Sequence, residues 1–125
     1  MSWDPFRDNL VASGHVTKAA LCGLDGSVWT QSPGMDLKQT EVATLVSGLT
    51  DSSVLSAGGI HLGGQKYIYL RSDDTQIQGR KGDGGCSIAK ANTCLVIAIY
   101  GEGVHPGNCR SAVEKMRDYL MGQNY

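Results

Sequence analysis

The strongest structural signal in the sequence is Cys94-Leu95-Val96-Ile97-Ala98-Ile99-Tyr100, an unbroken run of apolar residues that follows a turn. A strand without polar alternation is typical of the middle of a sheet, where both faces are covered. The sequence therefore predicts a central strand over residues 93–100, buried on both sides.

Shorter strands and tight turns precede this run. Reading backwards from it, strands are predicted at 86–90, 75–80 and 66–71, separated by turns at 91–92, 82–85 and 72–74. Connections this short allow only antiparallel pairing. Nearer the N-terminus, Asp25-Gly26 lies between apolar segments at 16–24 and 27–31, which predicts a hairpin with a two-residue turn, since that turn needs positive φ.

Amphipathic helices are predicted near both ends of the chain. Residues 2–12 carry apolar side chains at i, i+3 and i+7, with Pro5 in the first turn, so the helix begins at Ser2 or Asp4 and ends before Gly14. Residues 107–121 carry an apolar stripe at positions 109, 113, 116 and 120. A third helix is expected around 42–49 with Asp36 as its cap, and short strands follow from residue 53. This pattern predicts an α+β fold.

The length and composition indicate one domain over residues 1–125, with 41% hydrophobic residues and a formal charge of −1. This charge argues against a nucleic-acid partner, and no apolar run approaches the ~18 residues of a membrane span. Residues 1–59 carry a charge of −3 and residues 60–125 carry +2. A basic second half suits an acidic partner or an anionic lipid surface, although solvated surface charge is the simpler interpretation.

The four cysteines form no Cys-x-x-Cys pair, and the N-terminus has no basic-then-apolar secretory signal. We therefore expect buried, reduced thiols instead of disulfides or zinc ligands, and a location in the cytosol.

The sequence contains no motif for catalysis, a metal or a cofactor. Gly79–Gly85 is glycine-rich, but it lacks the Gly-Lys-Ser/Thr order of a phosphate loop and leads into a strand, so a basic hairpin turn is the preferred interpretation. His15, His61 and His105 lack metal-ligand spacing, and no Gly-x-Ser-x-Gly elbow is present. We expect a protein that is not an enzyme.

The aromatic residues are more informative. If the two terminal helices pack side by side on the sheet, five rings meet, namely Trp3, Phe6, Trp29, Tyr119 and Tyr125. A half-exposed row of rings with N–H and O–H groups suits a polyproline II ligand, because proline rings stack on aromatic faces and the ligand's carbonyls need donors. On periodicity alone, however, the preferred interpretation is that Trp3, Phe6 and Trp29 form an ordinary core between helix and sheet.

Six motifs carry a resemblance that covers essentially the whole chain. They are Ser-Trp-x-x-Phe-x-x-Asn-Leu (2–10), Leu-Asp-Gly-Ser-Val-Trp (24–29), Leu-Gly-Gly-Gln-Lys-Tyr (62–67), Gly-Arg-Lys-Gly (79–82), Gly-Val-His-Pro-Gly (103–107) and Asp-Tyr-Leu-x-x-Gln-x-Tyr (118–125). Each is weak alone, but in this order and spacing they resemble the profilin family. The resemblance implies a central antiparallel sheet with the N- and C-terminal helices on one face and smaller helices on the other.

The resemblance also implies two binding surfaces. One is a groove for proline-rich ligands formed by the same five rings. The other faces an actin monomer, and its residues carry over to Lys66, Arg71, Arg80, Lys81, Lys90, Val104, His105, Gly107, Arg110 and Lys115. Phosphoinositide head groups are expected at Arg71, Arg80, Lys81 and Arg117.

The implied function is binding without covalent chemistry by a monomeric protein of the cytoplasm and cytoskeleton. Profilins cap the barbed-end face of an actin monomer, promote its nucleotide exchange and deliver it to proline-rich elongation factors such as formins. Two alternatives remain open at this point. One is an adaptor for proline-rich ligands with weak or no actin binding, and the other is an enzyme or nucleotide-binding domain built on the 79–85 loop.

Three positions depart from the family pattern. Phe6 stands where the family often has Tyr, which keeps the stacking surface but loses a hydroxyl, and Lys115 stands where some members carry an acid. Lys66 and Arg71 are five residues apart, so strict strand alternation would place them on opposite faces. Either Lys66 lies before the regular strand or a bulge intervenes.

Overall fold

The structure is a computed structural model that describes residues 3–125. Four helices and seven strands follow one another along the chain. In order they are α1 (Asp4–Ala12), β1 (Lys18–Gly23), β2 (Val28–Gln31), α2 (Gln39–Thr50), α3 (Ser53–Gly58), β3 (Ile60–Leu62), β4 (Gln65–Ser72), β5 (Gln76–Lys81), β6 (Gly84–Lys90), β7 (Cys94–Tyr100) and α4 (Pro106–Gly122). The fold is α+β, as predicted.

The strands form one antiparallel sheet in the order β2-β1-β7-β6-β5-β4-β3. β7 lies between β1 and β6, and its alternate side chains belong to two different cores. Leu95 and Ile97 point into one core, while Val96 and Ala98 point into the other. The prediction of a central strand buried on both faces is confirmed.

The two cores lie on opposite sides of the sheet. On one side, α1 and α4 contribute Leu10, Cys109, Val113, Met116 and Leu120, so the predicted stripe of the C-terminal helix is buried. We call this side the α1–α4 face. On the other side, α2 and α3 pack over the sheet, and we call it the α2–α3 face. The predicted arrangement of terminal and smaller helices is confirmed.

Local details differ from three expectations. Residues 53–58 form the short helix α3 where only strands were expected. Asp36 has φ +49° and does not cap α2; Lys38 precedes the helix, and its N–H donates to Glu41 Oε1 at 2.9 Å. The Asp25-Gly26 hairpin has a longer loop than expected, because the Gly23 N–H donates to the Ser27 carbonyl at 2.7 Å and leaves three residues between them.

The cysteines are buried, unpaired thiols, as the sequence predicts. Burial raises the pKa of Cys22, Cys86 and Cys109 to about 12 and that of Cys94 to about 11. These thiols are therefore protonated at neutral pH and act as small apolar side chains. Within residues 3–125, no helix is both long enough and apolar enough to cross a bilayer.

Candidate functional site

Five aromatic rings meet where α1, β2 and the end of α4 come together. Trp3 stacks on Trp29 with ring centroids 4.8 Å apart, and Tyr125 stands edge-on to Trp3 at 4.7 Å. Phe6 continues the row, 5.4 Å from Trp3 and 6.0 Å from Tyr119. The structure thus joins residues from both ends of the chain into one surface, which we call the ring cluster.

The ring cluster is both the edge of a core and a surface. Trp3, Phe6, Trp29 and Tyr125 are partly buried and pack against the core of the α1–α4 face. Tyr119 is 53% exposed. The inner faces of the rings therefore stabilise the fold, while the outer faces are available to a ligand.

Hydrogen bonds between α1 and β2 hold Trp3 against Trp29. Arg7 Nη1 donates to Thr30 Oγ1 at 3.2 Å and to the Gln31 carbonyl at 3.0 Å, and the Thr30 hydroxyl donates to Asp4 Oδ1 at 2.6 Å. Asp4 adjoins Trp3, and Thr30 adjoins Trp29. Sequence reasoning missed these positioning residues, because no local motif links positions 26 residues apart.

A second set of hydrogen bonds holds Tyr125. Its carbonyl accepts from Thr93 Oγ1 at 2.8 Å, and its N–H donates to the Leu120 carbonyl at 2.8 Å. Thr93 lies in the turn before β7 and belongs to no recognisable motif. The central strand and the end of α4 together therefore set the position of the Tyr125 ring.

A basic surface lies elsewhere, on the part of the α1–α4 face that the helices leave uncovered. Arg80 on β5 pairs with Ile68 on β4 and with Gly85 on β6. Gly85 abuts the Tyr100 ring, which belongs to the core of the α1–α4 face. Arg80 is therefore on the α1–α4 face and exposed.

A bulge brings Lys66 and Arg71 to the same face. The register of β4 against β5 shifts between Tyr69, which pairs with Gly79, and Arg71, which pairs with Gln78. Lys66 lies inside β4 and does not precede the regular strand, so the bulge accounts for the spacing of Lys66 and Arg71. The extra residue reverses the alternation, and Lys66, Arg71 and Arg80 share one exposed surface.

Two apolar side chains lie among these cations and were missed in the sequence analysis. Ile68 is 64% exposed and Leu70 is 54% exposed. Ile68 shares the face of Arg80, and Leu70 occupies the bulge. Strand periodicity marks such residues as core candidates, and only the placement of α4 over β6 and β7 shows that they are uncovered.

The start of α4 borders this surface. Val104 is partly buried beside the core, and His105 caps the helix, since its Nδ1 accepts from the Gly107 N–H at 3.0 Å. One turn further on, Arg110 Nε lies 3.3 Å from Glu114 Oε1. Arg110 and Arg71 line a shared polar cleft of about 340 Å³ between helix and sheet. We call the whole region from Lys66 to Arg110 the basic surface.

The structure does not bring every predicted actin-facing residue to the basic surface. Lys81 lies with its Nζ 5.8 Å from the centre of the Tyr67 ring, in the α2–α3 layer, so it points away from its neighbour Arg80. Lys90 alternates with Ala89 and also points to the α2–α3 face. Lys115 lies on the side of α4 that faces α1.

Within the described part of the chain, Arg117 has carboxylate partners that the other predicted phosphoinositide contacts lack. Its Nε lies 3.0 Å from Asp118 Oδ1, its Nη2 lies 4.0 Å from Glu114 Oε2, and its side chain is 15% exposed. Among the four predicted contacts, Arg71 and Arg80 are exposed on the basic surface.

Known proteins resemble this chain over its full length. The profilin family model matches residues 1–125. The chain belongs to the profilin family. Profilins are non-enzymatic actin-binding proteins. Profilin of Branchiostoma belcheri is 48% identical over 122 residues, which cover 97% of this chain and 97% of that protein. Profilin-A of Physarum polycephalum is 42% identical over 126 residues, which cover 100% of each.

Solved profilin structures share the fold. Acanthamoeba castellanii profilin II has a TM-score of 0.95 at 36% identity, over 99% of this chain and 100% of that one. Mouse profilin IIa, in a complex with a double repeat from the FH1 domain of mDia1, has a TM-score of 0.84 at 23% identity, over the full length of both chains.

Proposed function

We propose that this single-domain profilin binds an actin monomer through the basic surface and a proline-rich segment through the ring cluster. The observation that carries the proposal is the separation of the two surfaces by α4. The ring cluster adjoins the side of α4 that faces α1, and Arg110 lies on the side that faces β5. Both ligands fit on the protein at the same time.

The ring cluster has the chemistry that a polyproline II helix needs. Such a helix has no internal hydrogen bonds, so its carbonyls seek donors, and its proline rings stack on flat aromatic faces. Trp3 and Trp29 supply indole N–H groups, and Tyr119 and Tyr125 supply hydroxyls. Formins are the partner class that we propose, since mouse profilin IIa is in a complex with an FH1 repeat.

The basic surface has the composition of a protein-binding site. Exposed Ile68 and Leu70 offer an apolar centre, and Lys66, Arg71 and Arg80 surround it with positive charge. Burial of an apolar centre supplies affinity, while a charged rim steers an oppositely charged partner. The acidic barbed-end face of an actin monomer is the partner that we propose, with Val104, His105, Gly107 and Arg110 at the border of the contact.

For the bound actin monomer, we propose the same two effects that the family resemblance implies. The bound monomer exchanges its nucleotide faster and passes to proline-rich elongation factors in the cytoplasm, at the cytoskeleton. Phosphoinositide head groups would bind at Arg71 and Arg80, together with Arg117, and would therefore compete with actin. Lys81 faces the other side of the sheet and contributes less to either ligand than its neighbour.

Proline binding is tested by the fluorescence of Trp3 and Trp29, the two tryptophans of the chain, during titration with poly-L-proline. Both belong to the ring cluster, so binding changes their emission and the change saturates. An unchanged spectrum from protein that circular dichroism shows to be folded would leave the rings with a purely structural role.

Actin binding is tested by comparing Arg80→Glu with Lys81→Glu. The two residues are adjacent and exposed, and the substitutions change the charge equally, but the side chains lie on opposite faces. We expect Arg80→Glu to weaken actin binding about 10-fold or more, a range typical of a charge reversal within an interface. Lys81→Glu is expected to change it less than 3-fold.

The same two variants are titrated with poly-L-proline, and both are expected to bind as the original chain does. Equal loss of both ligands in Arg80→Glu would indicate misfolding of that variant. Proline binding by the original chain without measurable actin binding would contradict the actin proposal and favour an adaptor.

A further inference from the structure

A cleft of about 680 Å³ runs between α1 and α4, and the proposed ligands do not account for it. Phe6 and Tyr119 form one end of the cleft and also belong to the ring cluster. From there the cleft continues past Asn9 and Lys115 towards Asn108. It is therefore continuous with the proposed proline site.

The polar side chains of this cleft are available to a ligand. Within residues 3–125, Asn9, Asn108, Ser111 and Lys115 make no side-chain hydrogen bond or ion pair. An extended peptide lying in the cleft would find donors here for its carbonyl groups, as a segment without internal hydrogen bonds requires.

The charge of the cleft is positive. Lys115 lines it, and of the described residues that line it none is a carboxylate. Arg110 and Arg117, on the same helix, pair with Glu114 and Asp118, so with respect to residues 3–125 Lys115 is the cation of α4 that is left for a partner. An acidic side chain is the ligand group that this cleft favours.

The length of the cleft sets the position of that acidic group. Lys115 precedes Tyr119 by about one helical turn, or roughly 6 Å along α4. A polyproline II chain advances about 3.1 Å per residue, so this distance corresponds to about two residues. From Tyr119 to Asn108 the helix axis spans about 16 Å, enough for roughly five extended residues.

We propose that the α1–α4 cleft holds the residues flanking the proline tract of the same ligand, and that Lys115 selects an acidic residue two or three positions beyond the tract. This inference rests on the proposed binding of proline-rich ligands by the ring cluster. It assigns Lys115 to recognition of the proline-rich ligand, in place of the actin contact suggested by the family resemblance.

The test uses peptides with ten prolines, titrated by tryptophan fluorescence. One set carries a Gly-Glu-Gly flank and a matched set carries Gly-Lys-Gly, each at either end of the tract, and the bare tract is titrated in parallel. At one end of the tract, we expect the peptide with the Glu flank to bind about 3- to 10-fold more tightly than the peptide with the Lys flank. The reason is that an exposed ion pair with Lys115 is replaced by repulsion between two lysines. The difference should shrink at 0.5 M salt, because the contact is exposed to solvent.

Two variants locate the effect. Lys115→Glu is expected to reverse the preference between the flanks, while Lys66→Glu, an equal charge change at an exposed position on the basic surface, leaves it intact. Equal affinity for both flanks at both ends, or an unchanged preference in Lys115→Glu, would overturn the inference while leaving proline binding standing. Weakened actin binding by Lys115→Glu with no effect on the flanks would also overturn it, and would return Lys115 to the actin contact.

Failure of the bare tract to bind would have a different meaning. It would contradict the proposed function itself and the inference with it. The bare tract thus separates failure of the ring cluster from failure of the cleft.

Discussion

Gly63 lies where two segments of backbone approach each other too closely for a side chain. Its φ is +60°, and a Cβ placed there would overlap the carbonyl oxygen of Met35, whose own side chain is buried. We predict that Gly63→Ala lowers the free energy of unfolding by about 3 kcal/mol or more. Alanine is strained in the left-handed conformation, and the backbone must also move to remove the overlap with the Met35 carbonyl. Urea unfolding followed by circular dichroism measures this loss.

The neighbouring Gly64 is a matched control. Its φ is +82°, but a Cβ there meets no atom within 4 Å. Gly64→Ala should therefore cost about 1–2 kcal/mol from strain alone. Equal losses in the two variants would mean that the Met35 carbonyl moves away freely and that the overlap is unimportant.

At the scale of elements, Glu41 joins α2 to the turn between β3 and β4. Its carboxylate accepts backbone hydrogen bonds from Lys38, Gly63 and Gly64 at 2.8–2.9 Å. Burial opposes ionisation of Glu41, but these N–H groups and the charge of Lys38 outweigh it, and the pKa of this carboxyl lies below its ordinary value. We predict that Glu41→Gln lowers the free energy of unfolding at pH 7 by about 1–2 kcal/mol.

The pH dependence of this effect has a definite sign. A carboxyl with a lowered pKa in the folded state stabilises the protein above its ordinary pKa, near ~4.3, and the contribution disappears as pH falls through the folded-state pKa. The difference in stability between Glu41→Gln and the original chain should therefore shrink on acidification below about pH 4. Glu102→Gln, at an exposed position, is the control; a constant difference across this range would show that the Glu41 charge is unimportant.

At the scale of the whole molecule, α4 separates the ring cluster from the basic surface. The residues proposed to contact the proline-rich ligand and those proposed to contact actin do not overlap. We therefore predict that a saturating ten-proline peptide changes the affinity for actin less than 2-fold. By linkage, actin should change the affinity for the peptide by the same factor. Sedimentation of a ternary complex tests this prediction, and mutual exclusion of the two ligands would show that the surfaces overlap.

Much of the fold follows from local patterns in the sequence. The apolar run of β7, the stripe on α4 and the β1–β2 hairpin all appear in the structure, because periodicity acts over a few residues, although the hairpin loop is longer than predicted. The short helix α3 escaped prediction because its six residues are too few to show helical periodicity. The rings of the candidate site were identified from residue type and from position near the chain ends.

Tertiary structure alone decided which side chains share a surface. The bulge in β4 brings Arg71 to the face of Lys66, and alternation along β5 sends Lys81 away from Arg80. Thr30 and Thr93 position rings that are distant from them in sequence. The helices and strands, and the chemistry of their side chains, follow from local sequence, since both depend on neighbouring residues. Strand register and helix placement decided the surfaces, because they depend on contacts between residues far apart in the chain.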